Sequence, residues 1–136
     1  MTVPSRPAPV VDPDSRPYWR AAREGVLALQ RCDSCARFQF YGRLLCRSCS
    51  STALTWQPVS GRGTVYSFSV MHRAADPYFE VPYVVALVDL AEGPRLATNL
   101  VDVDPDEVVV GMPVRVTFEV LDEEVSVPLF RPDESW

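Results

Sequence analysis

Two C-x-x-C pairs in the first third of the chain, and apolar–polar alternation through the rest, predict a mainly β fold. It comprises an N-terminal helix and a four-cysteine zinc ribbon, followed by a five-stranded OB-fold barrel. At 136 residues the chain holds one ordinary domain, or a small metal module with one modest core. The expected division is an extended arm at 1–16, the helix and ribbon at 17–57, and the barrel at 58–136.

The arm contains Pro4, Pro7, Pro9 and Pro13 and reads as extended, either disordered or laid against another surface. Its lack of an apolar stretch argues against a secretory signal. Ser15 is placed to cap a short helix with Pro17 in its first turn, and Gly25 stops it. Tyr18, Trp19, Ala21 and Ala22 form its apolar side. So short a helix with an exposed Trp–Tyr pair needs something to pack on, another protein being one option.

Leu27 and Leu29 alternate with Ala28 and Gln30 in a short strand leading into Cys32. Cys32 and Cys35, then Cys46 and Cys49 after ten residues, are the whole cysteine inventory of the chain. Two such knuckles bring four thiolates together in the tetrahedral sulfur shell of a structural zinc site, with all four as ligands. A disulfide pair and a rubredoxin-type iron site are the alternatives. A thioredoxin-like dithiol is disfavoured, because it needs one C-x-x-C beside a βαβ pattern. Phe38, Phe40 and Leu44–Leu45 around Tyr41-Gly42-Arg43 read as a small hairpin or an extended connection between the knuckles, and 52–56 closes the unit. A unit this small draws much of its folding energy from the metal.

Ser60-Gly61-Arg62-Gly63 is a turn into a strand over 64–71, in which Val65, Tyr66, Phe68 and Val70 are apolar. A loop over 73–81 carries Tyr78 and Phe79. The apolar run 82–90 reads as a buried strand, and Glu92-Gly93-Pro94 turns it into a strand over 95–101. Asp104-Pro105-Asp106-Glu107 opens a single helical turn, ended by Gly111. In 113–121, Val114, Val116, Phe118 and Val120 share one face, opposite Arg115, Thr117 and Glu119. Asp122-Glu123-Glu124 then turns the chain into a last strand over 125–130. Five strands with a helical turn between the third and fourth suggest the Greek-key OB barrel.

The net charge of −5 conceals an asymmetry: residues 1–75 sum to +6 and residues 76–136 to −11. All 13 basic residues are Arg, which reads either as genome bias with a solvated acidic face or as a basic half suited to phosphates or an acidic partner. No apolar run reaches the roughly 20 residues that cross a bilayer, and thiols arranged for metal suit a reducing cytoplasm.

The chain resembles the acyl-CoA-associated OB-fold proteins that carry an N-terminal rubredoxin-like zinc ribbon. The likeness runs over 17–132, through Tyr18-Trp19, the four cysteines and Ser60-Gly61-Arg62-Gly63-Thr64-Val65. It continues in the 82–90 run, in Gly111-Met112-Pro113-Val114 and in Pro128-Leu129-Phe130-Arg131-Pro132. Ala36 and Arg47 depart from the family's usual Gly and Pro, which touches knuckle conformation and surface rather than the thiolates. The resemblance implies a non-catalytic accessory subunit that docks on a thiolase-like aldolase or acyltransferase and assists acyl-CoA binding, including in steroid or lipid side-chain degradation. A partner of an acyl-CoA hydratase is the alternative.

No catalytic constellation competes with that reading. His72, the only histidine, is a surface or packing residue at a strand end. Asp102, Asp104, Asp106 and Glu107, like Asp122, Glu123 and Glu124, fall on turn signals where solvated acids are expected. Gly61 and Gly63 form a turn rather than a phosphate loop, since no helix follows. Tyr78, Phe79 and Tyr83 either pack their loop or line an acyl channel. A nucleic-acid-binding module is disfavoured by the −11 half, and a self-contained acyl-CoA enzyme or carrier by the missing constellation.

Overall fold

A computed structural model describes residues 6–74 and 76–134. The first five residues of the expected arm, Ala75 in the loop, and the last two residues of the expected barrel lie outside the described residues. Helix α1 (Arg16–Arg23) has Ser15 at its N-cap and Pro17 in its first turn, as expected. The Ser15 hydroxyl does not accept from the helix, however. Instead the Ser15 N–H donates to Asp12 Oδ1 at 2.8 Å, which organises the entry turn. Gly25, at φ 77°, ends the helix in a Schellman arrangement. Its N–H donates to the Ala22 carbonyl at 3.0 Å, and that of Val26 to the Ala21 carbonyl at 2.9 Å.

Tyr18 is buried and Trp19 half-buried, so the pair expected to need covering packs within this chain. Tyr18 meets Trp19 edge-on at 4.9 Å and Phe40 at 5.5 Å, and burial drives its phenol well above the usual tyrosine range.

Strands β1 (Ala28–Cys32), β2 (Phe38–Gln39) and β3 (Leu54–Pro58) form the ribbon, an antiparallel sheet in the order β2-β1-β3. Its two knuckles repeat one backbone design. Ala36 N–H donates to the Cys32 carbonyl and Ser50 N–H to the Cys46 carbonyl, both at 2.8 Å. Cys32 N–H donates to the Arg37 carbonyl at 2.9 Å, and Cys46 N–H to that of Ser51 at 2.8 Å. Such a turn requires the residue after its second cysteine to be left-handed, and Ala36 and Ser50 sit at φ 67° and 64°.

Strands β4 (Arg62–Met71), β5 (Tyr83–Leu90), β6 (Arg95–Leu100), β7 (Pro113–Val120) and β8 (Ser126–Pro132) close into a barrel in the order β4-β5-β6-β8-β7. Neighbours are antiparallel except β6 and β8, which meet in parallel at Leu100 and Phe130. A 3₁₀ turn (Pro105–Glu107) lies between β6 and β7, capped by Asp104, whose side chain accepts from Asp106 N–H at 2.9 Å. This is the order and connectivity of an OB barrel.

Two details differ from the sequence reading. The apolar run of β5 is buried on one face only: Val84, Ala86, Val88 and Leu90 point inward, while Val85 is exposed, because a closed barrel has a single interior. In β4 a register shift between Val65 and Ser67 turns Tyr66 outward, where the Arg95 guanidinium lies over its ring at 3.3 Å. One hydrophobic cluster joins Tyr18, Leu27 and Leu29 of the N-terminal part to Val65, Val88, Val114 and Phe130 of the barrel. Among the described residues no helix is long and apolar enough to cross a membrane.

Two substitutions test this backbone. A Cβ at Gly63 would stand 2.6 Å from the Asp89 carbonyl oxygen and 2.7 Å from Val88 Cγ1. Gly63→Ala is therefore expected to cost about 1–3 kcal/mol by overpacking, read as a lower urea midpoint at constant m-value. Ala36→Gly relieves an L-residue held at positive φ and should stabilise the metal-loaded chain by about 1 kcal/mol in the same assay. An unchanged or lower midpoint would show that the knuckle is not strained at Ala36.

Candidate metal centre

Each half of the site comes from one knuckle. β1 delivers Cys32 and the turn beyond it delivers Cys35, while the connection after β2 delivers Cys46 and its turn Cys49. The four Sγ atoms lie within 4.8 Å of one another, with Cys32 and Cys49 at 3.5 Å and Cys35 and Cys46 at 3.7 Å. A sulfur tetrahedron with metal–sulfur bonds of about 2.3 Å has edges of about 3.8 Å, so the cluster has the dimensions of a tetrathiolate shell. All four cysteines are free, as the metal reading requires and the disulfide alternative does not.

The backbone is arranged for sulfur carrying negative charge. Cys35 N–H points at Cys32 Sγ and Ser48 N–H at Cys46 Sγ, each at 3.4 Å. Hydrogen bonds from the Cys49 and Ser48 backbone hold the Cys46 thiol down at about 6, and the Cys35 backbone lowers Cys32. Cys49 moves the other way, up to about 12: the Ser51 backbone lowers it, but the adjoining Cys32 and Cys46 thiols and burial outweigh that. Four sulfurs this close cannot all ionise unless a cation sits among them. The donor set therefore fits a metal ion, consistent with structural zinc.

A buried polar pair fixes the second knuckle. Gln30 and Gln39 are paired across β1 and β2, and Gln39 Nε2 donates to Gln30 Oε1 at 2.7 Å. Gln30 also donates to the Arg43 carbonyl and accepts from Arg43 N–H, both at 2.9 Å. Gln39 Oε1 accepts from Arg47 N–H at 3.0 Å, and its amide donates to the Leu45 carbonyl at 3.3 Å. The two glutamines thus supply the hydrogen bonds that a third strand would give to 43–47. Sequence reasoning passed over them. The available signal was two glutamines at strand positions flanking a C-x-x-C.

The remaining candidates do not converge. His72 is exposed just past β4. Asp104 and Asp122 accept from backbone N–H groups of their own turns, as solvated turn acids do. Tyr78 meets Phe79 edge-on at 5.2 Å, and Phe79 stacks on Tyr83 at 4.7 Å. Among the described residues, the four cysteines form the one group of three or more Cys, His, Asp or Glu side chains able to hold a metal ion.

A family model described as "ChsH2, rubredoxin-like zinc ribbon domain" matches residues 19–55, and another, "ChsH2, C-terminal OB-fold domain", matches residues 56–119. A solved chain named "Ltp2-ChsH2(DUF35) aldolase" is 40% identical, covers 92% of this chain and 98% of its own, and superposes with a TM-score of 0.84. A "Probable enoyl-CoA hydratase alpha subunit" of Thermomonospora curvata is 41% identical over 127 residues, which is 93% of this chain but 40% of that protein's length. A "DUF35 domain-containing scaffold protein" of Methanocaldococcus jannaschii is 34% identical over 109 residues, covering 78% of this chain and 77% of the relative. Two adjoining domain matches in ribbon-then-barrel order, with the aldolase chain and the scaffold protein matched over most of their length, place the chain in the ChsH2 (DUF35) family.

Proposed function

We propose that the chain is a non-catalytic accessory subunit that docks on a thiolase-like aldolase or acyltransferase and assists acyl-CoA binding there. The observation that carries this reading is the likeness, over nearly the whole of both chains, to a chain of an Ltp2-ChsH2 aldolase. The candidate site agrees with it. Four thiolates fill a tetrahedral zinc shell and leave no position for water or substrate, so zinc held by Cys32, Cys35, Cys46 and Cys49 is structural. Its chemistry is to hold the two knuckles together, and reduced thiols of this kind suit a cytoplasmic location.

The hydratase alpha subunit relative favours a second partner class, an acyl-CoA hydratase. A nucleic-acid role has less support, because residues 76–136 carry a charge of −11 and would repel a phosphate backbone.

Co-expression of the tagged chain with candidate thiolase-like and hydratase-like enzymes, taken from the reading frames beside its gene where such frames are found, tests the proposal. One of the two enzymes is expected to co-purify as a stable complex that turns over an acyl-CoA, while the chain alone shows no turnover. Full activity of the isolated chain, or an enzyme equally active without it, overturns the accessory role. For the metal, elemental analysis should find about one zinc per chain. Cys46→Ser should lower metal retention at least tenfold and lose the ribbon's amide dispersion in NMR spectra.

A further inference from the structure

Within the N-terminal arm, Arg6 occupies a site built for one chemical group. Arg6 is largely buried, its side chain only 13% exposed, although it lies ten residues ahead of the first helix. Its guanidinium stands 5.1 Å from the Tyr78 ring centre and 5.0 Å from that of Phe79, in the corner between two rings set at 82°. Nε donates to Glu119 Oε2 at 2.9 Å and Nη1 to Asn99 Oδ1 at 3.0 Å.

Every wall of this corner is oriented by contacts that do not involve Arg6. Asn99 Nδ2 donates to the Val84 carbonyl at 3.0 Å, which turns the amide so that its oxygen faces the arginine. The Tyr78 hydroxyl donates to Glu119 Oε1, which leaves Oε2 for the guanidinium. Phe79 stacks on Tyr83 of β5, and the Asp76 side chain and carbonyl hold the Tyr78 and Phe79 backbone at 2.8 and 3.1 Å. A cavity of about 280 Å³ continues from Arg6 along Thr117, Phe118 and Leu129.

We propose that the barrel carries a preformed guanidinium-binding pocket, made by Tyr78, Phe79, Asn99 and Glu119, in which Arg6 is an exchangeable latch. An arginine side chain from a partner chain is the ligand that takes its place. Two acceptors set for two different nitrogens of one planar group, beside two ring faces, suit a guanidinium and not the point charge of a lysine. Exchange frees the arm from the barrel and opens the adjoining groove. Because Arg6 is tethered, it competes at an effective concentration on the order of millimolar. The latch therefore yields to a free arginine side chain only in large excess over that concentration, and at lower concentration to one held by further contacts.

The test uses the full, metal-loaded chain and the probe N-acetylarginine methylamide, followed by NMR. Arg6→Ala is expected to bind the probe about tenfold or more tightly than wild type, with shifts at the Asn99 side-chain amide and at Tyr78 and Phe79. The neutral N-acetylcitrulline methylamide should bind neither protein, and Arg6→Ala/Glu119→Gln should lose the probe. In wild type, a large excess of probe should sharpen the Val10 and Val11 amides as the arm is released. A folded Arg6→Ala chain that ignores the probe overturns the proposal, as does equal binding by both proteins. Should Arg6→Ala not fold, arm release in wild type decides: static Val10 and Val11 amides under excess probe overturn it.

Discussion

Strand β8 carries the constraint on which the remainder rests. A curved sheet left open exposes unpaired backbone at both edges, and β8 removes both by pairing with β7 on one side and β6 on the other. The seam is made at Phe130, which is fully buried and stands opposite Val116 on β7 and Leu100 on β6. Its carbonyl accepts from Val101 N–H at 2.9 Å, just beyond the end of β6. Helix α1 then packs against β8, so the strand that closes the barrel also seats the N-terminal part on it. Tyr18, Leu27 and Leu29 thereby share a core with Val65, Val88 and Val114.

The ribbon solves the opposite problem, since it has almost no interior. Its three strands are short and β2 contributes only two residues. Order there comes from directional contacts: two repeated knuckle turns, the Gln30–Gln39 pair, and the convergence of four sulfurs. A buried amide network is favourable only when all its members are satisfied, and these glutamines bind the backbone of Arg43, Leu45 and Arg47 as well as each other. In such a module the metal and the polar network share the work that a hydrophobic core does in the barrel.

The separation of charge along the chain also acquires a structural meaning. Arg6 and Arg62 of the basic half form ion pairs with Glu119 and Asp133 of the acidic half, at 2.9 and 3.8 Å. Arg62 is largely exposed, and so loose a contact adds little. Arg6 differs because the arginine itself is largely buried and its two hydrogen bonds are short, so one arginine anchors the arm where a string of prolines supplies reach without packing.

Amino-acid order alone determined the elements whose signal is local. The two C-x-x-C pairs, the left-handed stop at Gly25, the turn acids of the Asp104 and Asp122 segments, and the alternation in β7 each declare themselves within a few residues. Tertiary structure decided what depends on partners distant in sequence. The parallel meeting of β6 with β8, the single buried face of β5, the outward turn of Tyr66 and the burial of Gln30 and Gln39 follow from closure and register. No periodicity encodes these, because whether a side chain is inside depends on which strand lies opposite. Arg6 is the extreme case: it lies 113 residues from Glu119, and its surroundings exist only once the barrel has closed.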